Sequence, residues 1–317
     1  MNNEINIHPL IQSIKDEIIR NRRYFHTYPE LSFKEVNTSN VIENKLRDMG
    51  ISNISRIAKT GLVADIIGIE RGKNIALRAD MDALPIQETS DVKYKSKNDG
   101  VMHACGHDGH MAMLLAAAKS INKIKKKIKG TVRLIFQPAE EGLAGAKYMI
   151  NEGALDNIDE IYGIHLWNYQ KIGEIGVKEG PIMAAADMFE ISVYGKGGHG
   201  ATPHGTVDAV VVASNLINAL QTIVSRNVNP IDSGVVTIGK INGGYNFNVI
   251  ADKVVMKGTC RAYTDKNKKM IKNRMEEIIR GIEKMYGAKI ILDYSDGYPP
   301  TVNNKMCAEN VLSASKK

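Results

Sequence analysis

Short apolar runs bounded by turn residues recur along the first half of the chain, with longer stretches of helical spacing between them. The runs are GLVADIIGI (61–69), NIALRAD (74–80), TVRLIFQ (131–137) and IDEIYGIHL (158–166), and they predict strands. Helical spacing of apolar residues fills 109–121 and 142–153. This alternation predicts an α/β fold with a mostly parallel sheet flanked by helices on both faces.

Residues 9–49 precede the first of these strands and carry helical spacing in two segments. Ser32 and Glu35 stand three positions apart at the start of the second segment, a spacing that predicts a capping box. Gly50 marks the expected end of that helix.

The pattern changes near Asp187, where strand and helix runs follow one another in the order βαββαβ. This order is typical of the ferredoxin-like split unit. We therefore predict a catalytic domain over residues 1–186, an inserted ferredoxin-like domain over 187–296, and a return to the catalytic domain at 297–317.

Length and composition agree with two globular domains, since the chain has 317 residues, 43% hydrophobic and 24% charged. No apolar run approaches the roughly 18 to 20 residues that a membrane span needs, and the start lacks the apolar core of a secretory signal. The three widely spaced cysteines favour reduced thiols. We expect a cytoplasmic protein without a membrane partner.

The formal net charge of +7 raises the question of a nucleic-acid partner. The basic residues are mostly lysines on candidate helix ends, as in KSINKIKKKIKG, and no aromatic residue interrupts that run. This pattern favours a solvated helix end over a nucleic-acid surface.

The segment MHACGHDGHM (102–111) concentrates three histidines, a cysteine and an aspartate. His103, Cys105 and His107 are spaced by two, which places their side chains on one side of an extended segment. Thiolate and imidazole ligands suit zinc or a similar divalent ion. The alternative is a loop that leads into a helix, with Asp108 as its N-cap and the histidines incidental.

Further polar groups follow the predicted strands, as Asp80 and Asp82, Glu140 and Glu141, and His165 do. Ligands of open α/β sheets bind outside the carboxyl ends of the strands, so these groups are expected to converge. The two adjacent glutamates point in different directions, which allows one to ligate a metal while the other faces a water as general base. Their alternative role is to complement a helix dipole.

Seven segments between about residues 9 and 300 form a pattern in register. They are RRYFHTYPELSFKE, LRADMDALPIQE, MHACGHDGHMAMLL, FQPAEEGLAGA, GIHLW, GKGGHGATPH and FNVIADK. Together they resemble the aminoacylase and carboxypeptidase family of dinuclear metallopeptidases, above all its amidohydrolase branch. That branch includes hippurate hydrolases, N-acyl-amino-acid amidohydrolases and auxin-conjugate hydrolases.

The resemblance implies a metal-dependent amidohydrolase that cleaves N-acyl-L-amino acids or small peptides with a metal-activated water. It also implies two divalent ions per subunit, drawn from Zn, Mn, Co or Ni. The implied metal ligands are Cys105, His107, Glu141 and His165. Glu140 is implied as the general base, and Asp82 as the acid that orients the metal site.

In the inserted domain, the resemblance implies roles for three more residues. His199 is expected to reach across a homodimer and stabilise the oxyanion in the active site of the partner. Asn248 and Arg261 are expected to hold the backbone and carboxylate of the substrate, because a guanidinium fork suits a carboxylate.

The family supplies one more histidine ligand after the inserted domain, whereas no histidine follows His204 in this sequence. We therefore expect the C-terminal part of the catalytic domain to be missing and one metal position to keep more ligands than the other. An active amidohydrolase is the leading hypothesis. The alternative is a non-catalytic or impaired remnant that binds at most one metal, and a basic nucleic-acid-binding protein ranks third.

Overall fold

The computed structural model describes residues 8–316 and contains two structural units. The first runs to Gly176 and includes residues 314–316, and the second is Val177–Ser313. The functional domains predicted at 1–186, 187–296 and 297–317 stay a prediction.

A five-stranded mixed sheet forms the centre of the first unit, with strand order β1-β2-β4-β3-β5. Its strands are β1 (Ile54–Ile57), β2 (Gly61–Ile67), β3 (Ile75–Asp80), β4 (Thr131–Gln137) and β5 (Glu160–Gly163). β3 pairs in parallel with β4 and β5, whereas β2 pairs antiparallel with β1 and β4. The predicted α/β layer is confirmed.

The sheet contains more antiparallel pairing than we predicted, for two local reasons. β1 was not expected, and it forms a hairpin with β2 in which Ala58 and Lys59 have φ values of 50° and 67°. Residues 68–74, which join β2 to β3, are too few for the crossover that parallel strands require. β2 therefore runs against β3 and β4.

Helices cover both faces of this sheet. They are α1 (Pro9–Gln12), α2 (Lys15–Thr27), α3 (Val36–Asp48), α4 (His107–Lys123) and α5 (Gly145–Asn151). Leu134 and Phe136 of β4 pack in one core cluster with residues of α2, α3 and α4, whereas Ile135 packs in another with Met149 of α5. Successive strand residues point to opposite faces, so the nearly continuous apolar run of β4 reflects burial on both sides.

A buried polar network joins α2 to α4. His26 Nδ1 lies 2.8 Å from Asp108 Oδ2, and His26 Nε2 lies 3.2 Å from Glu88 Oε1. Arg22 Nε also lies 2.8 Å from Asp108 Oδ2. The prediction that Asp108 caps α4 is wrong, because the N-cap is Gly106 with φ 91° and Asp108 lies in the first turn. Its carboxylate contacts Arg22 and His26 of α2 instead.

We expect the substitution His26→Gln to change how stability depends on pH. The hydrogen bond with Asp108 raises the pKa of His26 above 6.5, although burial opposes it. The resulting stabilisation is complete below the unfolded pKa and is lost as pH rises through the higher folded pKa. Urea unfolding of metal-free protein should show a difference between wild type and variant of about 1–3 kcal/mol near pH 6. That difference should shrink as pH rises, and a difference independent of pH would contradict the expectation.

The second unit has a four-stranded antiparallel sheet of strand order β12-β7-β11-β9. Its elements in chain order are β6 (Gly180–Met183), β7 (Ala185–Tyr194), β8 (Gly198–His199), α6 (Ala209–Thr222), β9 (Gly234–Gly243), β10 (Val249–Ile250), β11 (Lys253–Ala262), α7 (Asp265–Tyr286), β12 (Lys289–Tyr298), β13 (Thr301–Asn303) and most of α8 (Lys305–Ser315). Two short antiparallel pairs lie outside this sheet: β6 and β13 flank its strands in the sequence, whereas β8 and β10 lie between them. The long elements follow the predicted βαββαβ order.

Alternating burial along β7 shows that helices pack against one face of this sheet. Phe189, Ile191 and Val193 are buried in one cluster with Leu216 of α6 and Met275 of α7. The residues between them are more exposed, which is the period of two expected for a sheet covered on one face. Of the helices that the structure describes, none combines the length and apolar content required to cross a membrane.

Candidate metal and catalytic site

The candidate site of the first unit lies where the parallel strands end. Asp80 is the last residue of β3, while Glu140 follows the end of β4 by three residues and His165 follows β5 by two. Since β3, β4 and β5 run in the same direction, the segments after them meet at one edge of the sheet. The start of α4 at His107 joins them there.

Three groups of possible ligand atoms share His107, and two of them contain the four predicted metal ligands. Cys105, His107 and His165 offer one ligand atom each within 4.8 Å of one another, and so do His107, Glu140 and Glu141. Cys105 Sγ lies 3.4 Å from His165 Nε2, and His107 Nε2 lies 3.9 Å from Glu141 Oε1. The structure thus brings together the four predicted metal ligands and the predicted base.

Two buried atoms of this site are candidates for metal binding on physical grounds. His107 Nε2 and Glu141 Oε1 make no hydrogen bond within residues 8–316. A buried polar atom without a partner costs about 1–3 kcal/mol. A divalent cation between them would satisfy both, and thiolate, imidazole and carboxylate are ligands that zinc and related ions accept. The side chains therefore fit a divalent metal.

Asp82 is buried and organises the groups around it. Its Oδ1 and Oδ2 accept hydrogen bonds from the amides of Glu140 and Glu141, each 2.9 Å long, and Ser32 Oγ donates to Oδ2 over 2.7 Å. His107 Nδ1 donates to the Asp82 carbonyl over 2.7 Å, which leaves Nε2 on the side of Glu141. Burial alone would raise the pKa of Asp82, but these hydrogen bonds lower it below its ordinary value.

The charges of the site shift the pKa values of its other groups. Burial, and then the charges of Glu141 and Asp80, raise the pKa of Glu140 above 4.5. The neighbouring imidazoles of His107 and His165 lower the pKa of the Cys105 thiol below 9.0. A carboxyl with a raised pKa is a better proton acceptor, and a thiol with a lowered pKa is closer to the thiolate that binds metal.

The capping box predicted at Ser32 and Glu35 is wrong. The helix starts after Glu35, which makes no side-chain cap, and the Ser32 hydroxyl is bound to Asp82. Glu30 accepts from the amide of Thr38 over 2.7 Å instead. Sequence spacing missed this because Ser32 and Glu35 hydrogen-bond with distant parts of the chain.

Comparison of the sequence with known proteins identifies the family of this chain. Residues 76–317 match the model of Peptidase family M20/M25/M40. The chain belongs to this family. It is 44% identical to the N-acetyl-L-cysteine deacetylase of Bacillus subtilis (strain 168), over 97% of this chain and 74% of that protein. It is 42% identical to the N-acyl-L-amino acid amidohydrolase of Geobacillus stearothermophilus, over 93% of this chain and 80% of that protein.

A solved structure of the same family confirms the fold. It is the protein YXEP of Bacillus subtilis, described as a dinuclear metal binding peptidase from the M20 family. The sequences are 37% identical, and the TM-score is 0.83 over 96% of this chain and 80% of that one. The family and the hydrolase class predicted from the seven motifs are thus confirmed.

His110 of this M20/M25/M40 peptidase has a structural task that the sequence did not reveal. Its Nε2 accepts a 2.8 Å hydrogen bond from the amide of Leu166, so its proton is on Nδ1, which donates to Asp80 Oδ1 over 2.6 Å. His165 Nδ1 in turn donates to the Leu166 carbonyl over 2.6 Å. Both nitrogens of His110 are therefore engaged, and the residue supports His165, although its ring and Asp80 also lie near His107.

His103 lies apart from the metal-capable groups. Its side chain is buried, both ring nitrogens lack a hydrogen-bond partner within the described chain, and burial lowers its pKa to about 4. The spacing of His103, Cys105 and His107 predicted a shared side, but the chain bends at Gly106, whose φ is 91°. Of these three residues, Cys105 and His107 alone belong to the ligand groups of residues 8–316.

The three predicted residues of the inserted domain all belong to the second unit. His199 of β8 is exposed and pairs with Val249 of β10, and the next residue, Gly200, donates to the Asn248 carbonyl over 2.8 Å. Arg261 lies on β11, where its guanidinium donates to the Cys260 carbonyl over 3.0 Å. His199 and Asn248 are thus neighbours. The predicted roles of all three residues stay predictions.

Proposed function

We propose that this chain is a metal-dependent amidohydrolase that cleaves the amide bond of N-acyl-L-amino acids. The proposal rests on one cluster of side chains, formed by Cys105, His107, Glu141 and His165 beside Glu140. Two buried atoms in it, His107 Nε2 and Glu141 Oε1, have no hydrogen-bond partner among the described residues. The N-acetyl-L-cysteine deacetylase and the N-acyl-L-amino acid amidohydrolase to which the chain is similar support this substrate class.

The same four residues would hold two divalent ions, from among Zn, Mn, Co and Ni. Cys105 would contribute a thiolate ligand, since its Sγ lies within 4.8 Å of a ligand atom of both His107 and His165. When bound, such ions lower the pKa of a water molecule and polarise the acyl carbonyl. The solved M20 relative described as dinuclear supports this number of ions.

Glu140 is assigned as the general base and acid. It would accept a proton from the attacking water and return one to the leaving amine as the carbon–nitrogen bond breaks. Its raised pKa favours the first transfer, and the hydrogen bond from its amide to Asp82 fixes its position. Asp82 is therefore assigned as the residue that orients both Glu140 and His107.

His199, Asn248 and Arg261 are assigned to the transition state and the substrate. His199 would stabilise the oxyanion in the partner's active site, which requires a homodimer formed through the inserted domain. β9 is an edge strand of its sheet with exposed Val235 and Ile241, and an exposed edge can pair with another chain. Sedimentation equilibrium should give the mass of a dimer, and a monomer at all concentrations would remove this part of the proposal.

The thiols indicate the compartment in which this enzyme works. Cys105, Cys260 and Cys307 are all free, and Cys105 can ligate metal only in its reduced form. Free thiols persist in reducing compartments. We therefore assign the enzyme to the cytoplasm.

A substrate panel tests the proposed function. Purified protein is stripped of metal by a chelator, reloaded separately with Zn, Mn, Co or Ni, and offered N-acetyl and N-benzoyl amino acids and dipeptides. We expect release of free amino acid that depends on the added metal, measured by chromatography. Binding of metal without any release would support a non-catalytic member of the family and would overturn the proposal.

A further inference from the structure

The backbone that carries Glu140 and Glu141 adopts a conformation that requires support. Ala139 and Ala144 have φ values of 51° and 56°, and Gly142 between them has φ 88°. Positive φ values of this kind belong to the left-handed region, which costs a residue other than glycine about 1–3 kcal/mol. Such a conformation persists only where surrounding contacts fix it. The direction of the two glutamate side chains therefore depends on what holds residues 139–144.

Two buried carboxylates hold three consecutive amides of this segment. The Ala139 amide donates to Glu35 Oε1 over 2.9 Å, and the next two amides donate to Asp82. Glu35 is fully buried, with 0% of its surface exposed, and Ala139 is equally buried. Glu35 therefore accepts from the amide of Ala139 in the same way as Asp82 accepts from the amides of Glu140 and Glu141, the next two residues.

The Glu35 carboxylate is held by hydrogen bonds and not by an ion pair. No cationic side chain of residues 8–316 forms a salt bridge with it, and its Oε2 accepts from the Thr60 hydroxyl over 2.6 Å. Burial raises the pKa of Glu35 above 4.5, while the hydrogen bonds from Thr60 and Ala139 oppose that rise. Burying a carboxylate without a cationic partner costs free energy, and the hydrogen bonds from Thr60 and Ala139 offset part of that cost.

We propose that Glu35 is a positioning residue, which directs Glu140 and Glu141 into the site through its hydrogen bond with the Ala139 amide. The proposal rests on the proposed function, in which these glutamates act as base and metal ligand. Without the acceptor at Glu35, the peptide group between Pro138 and Ala139 is free to rotate, and Ala139 can leave its strained φ value. The base and the ligand would then both lose their fixed direction.

Glu35→Leu tests this role, with Glu35→Gln and Ser39→Ala as matched variants. We expect Glu35→Leu to lower kcat by about tenfold to a hundredfold with KM unchanged, and to weaken metal binding. Glu35→Gln keeps an oxygen for the Ala139 amide and should restore most of kcat. Ser39 Oγ lies 2.8 Å from the Glu35 carbonyl and also within hydrogen-bond distance of the Thr60 carbonyl, so its hydroxyl can donate to either one, and no hydrogen bond joins it to residues 139–144. Ser39→Ala should therefore lower stability and leave kcat at the wild-type value.

Hydrogen exchange of metal-free protein gives a readout that does not depend on hydrolysis. Amides of residues 139–141 should exchange faster in Glu35→Leu and at the wild-type rate in Ser39→Ala. If wild type hydrolyses no substrate, the proposed function fails while exchange still tests Glu35. The positioning role would be overturned if Glu35→Leu kept the kcat and the exchange rates of wild type. It would also be overturned if Ser39→Ala lost as much kcat as Glu35→Leu. Should Glu35→Leu not fold, Glu35→Asp, whose shorter side chain cannot reach Ala139, should show the same loss and faster exchange.

Discussion

Glu140→Gln is expected to lower kcat for hydrolysis of an N-acyl amino acid by about a hundredfold to ten-thousandfold. Glutamine has nearly the shape of glutamate and keeps the backbone amide that donates to Asp82, but it cannot accept the proton of the attacking water. Metal content should stay that of wild type, because Glu140 is assigned no ligand role. Steady-state kinetics and elemental analysis of the same preparation measure both quantities.

The adjacent carboxylate provides the matched control. Glu141 Oε1 is the buried oxygen without a partner in the described chain, 3.9 Å from His107 Nε2. Glu141→Gln should therefore weaken metal binding first, and excess metal should restore part of its activity. Glu140→Gln should not respond to excess metal. Identical behaviour of the two variants, or near wild-type kcat in Glu140→Gln, would contradict the assignment of separate roles.

Strand ends explain why much of this site could be predicted from sequence. Asp80 ends β3, and the two glutamates follow β4 closely, so the parallel pairing of β3 and β4 is sufficient to bring them together. His165 joins them because β5 pairs in parallel with β3. Each of these positions depends on a local apolar run and a general rule of α/β sheets.

The missed features depend on contacts between distant residues. Glu35 hydrogen-bonds with Ala139, 104 residues away, and Ser32 with Asp82, 50 residues away. A local spacing rule assigned both side chains to a helix cap, because it takes no account of buried groups elsewhere that also require partners. The support that His110 gives to Leu166 is likewise a contact over 56 residues, invisible to any local pattern.

Cys105→Ala is expected to produce the second large effect, a loss of activity of more than about a hundredfold together with a loss of bound metal. The Cys105 Sγ lies within 4.8 Å of a ligand atom of both His107 and His165, so its removal takes an anionic metal ligand from beside both imidazoles. Metal that binds the folded protein also stabilises it. Added zinc should therefore raise the melting temperature of wild type markedly and that of Cys105→Ala much less.

Cys307→Ala is the matched control, because Cys307 is also a partly buried free thiol but belongs to none of the ligand groups of residues 8–316. It should retain the metal content, the zinc-dependent rise in melting temperature and the activity of wild type. Elemental analysis and thermal melting with and without chelator provide the comparison. Full metal content in Cys105→Ala would show that Cys105 is not a ligand, and equal losses in the two variants would indicate a general effect of removing a thiol.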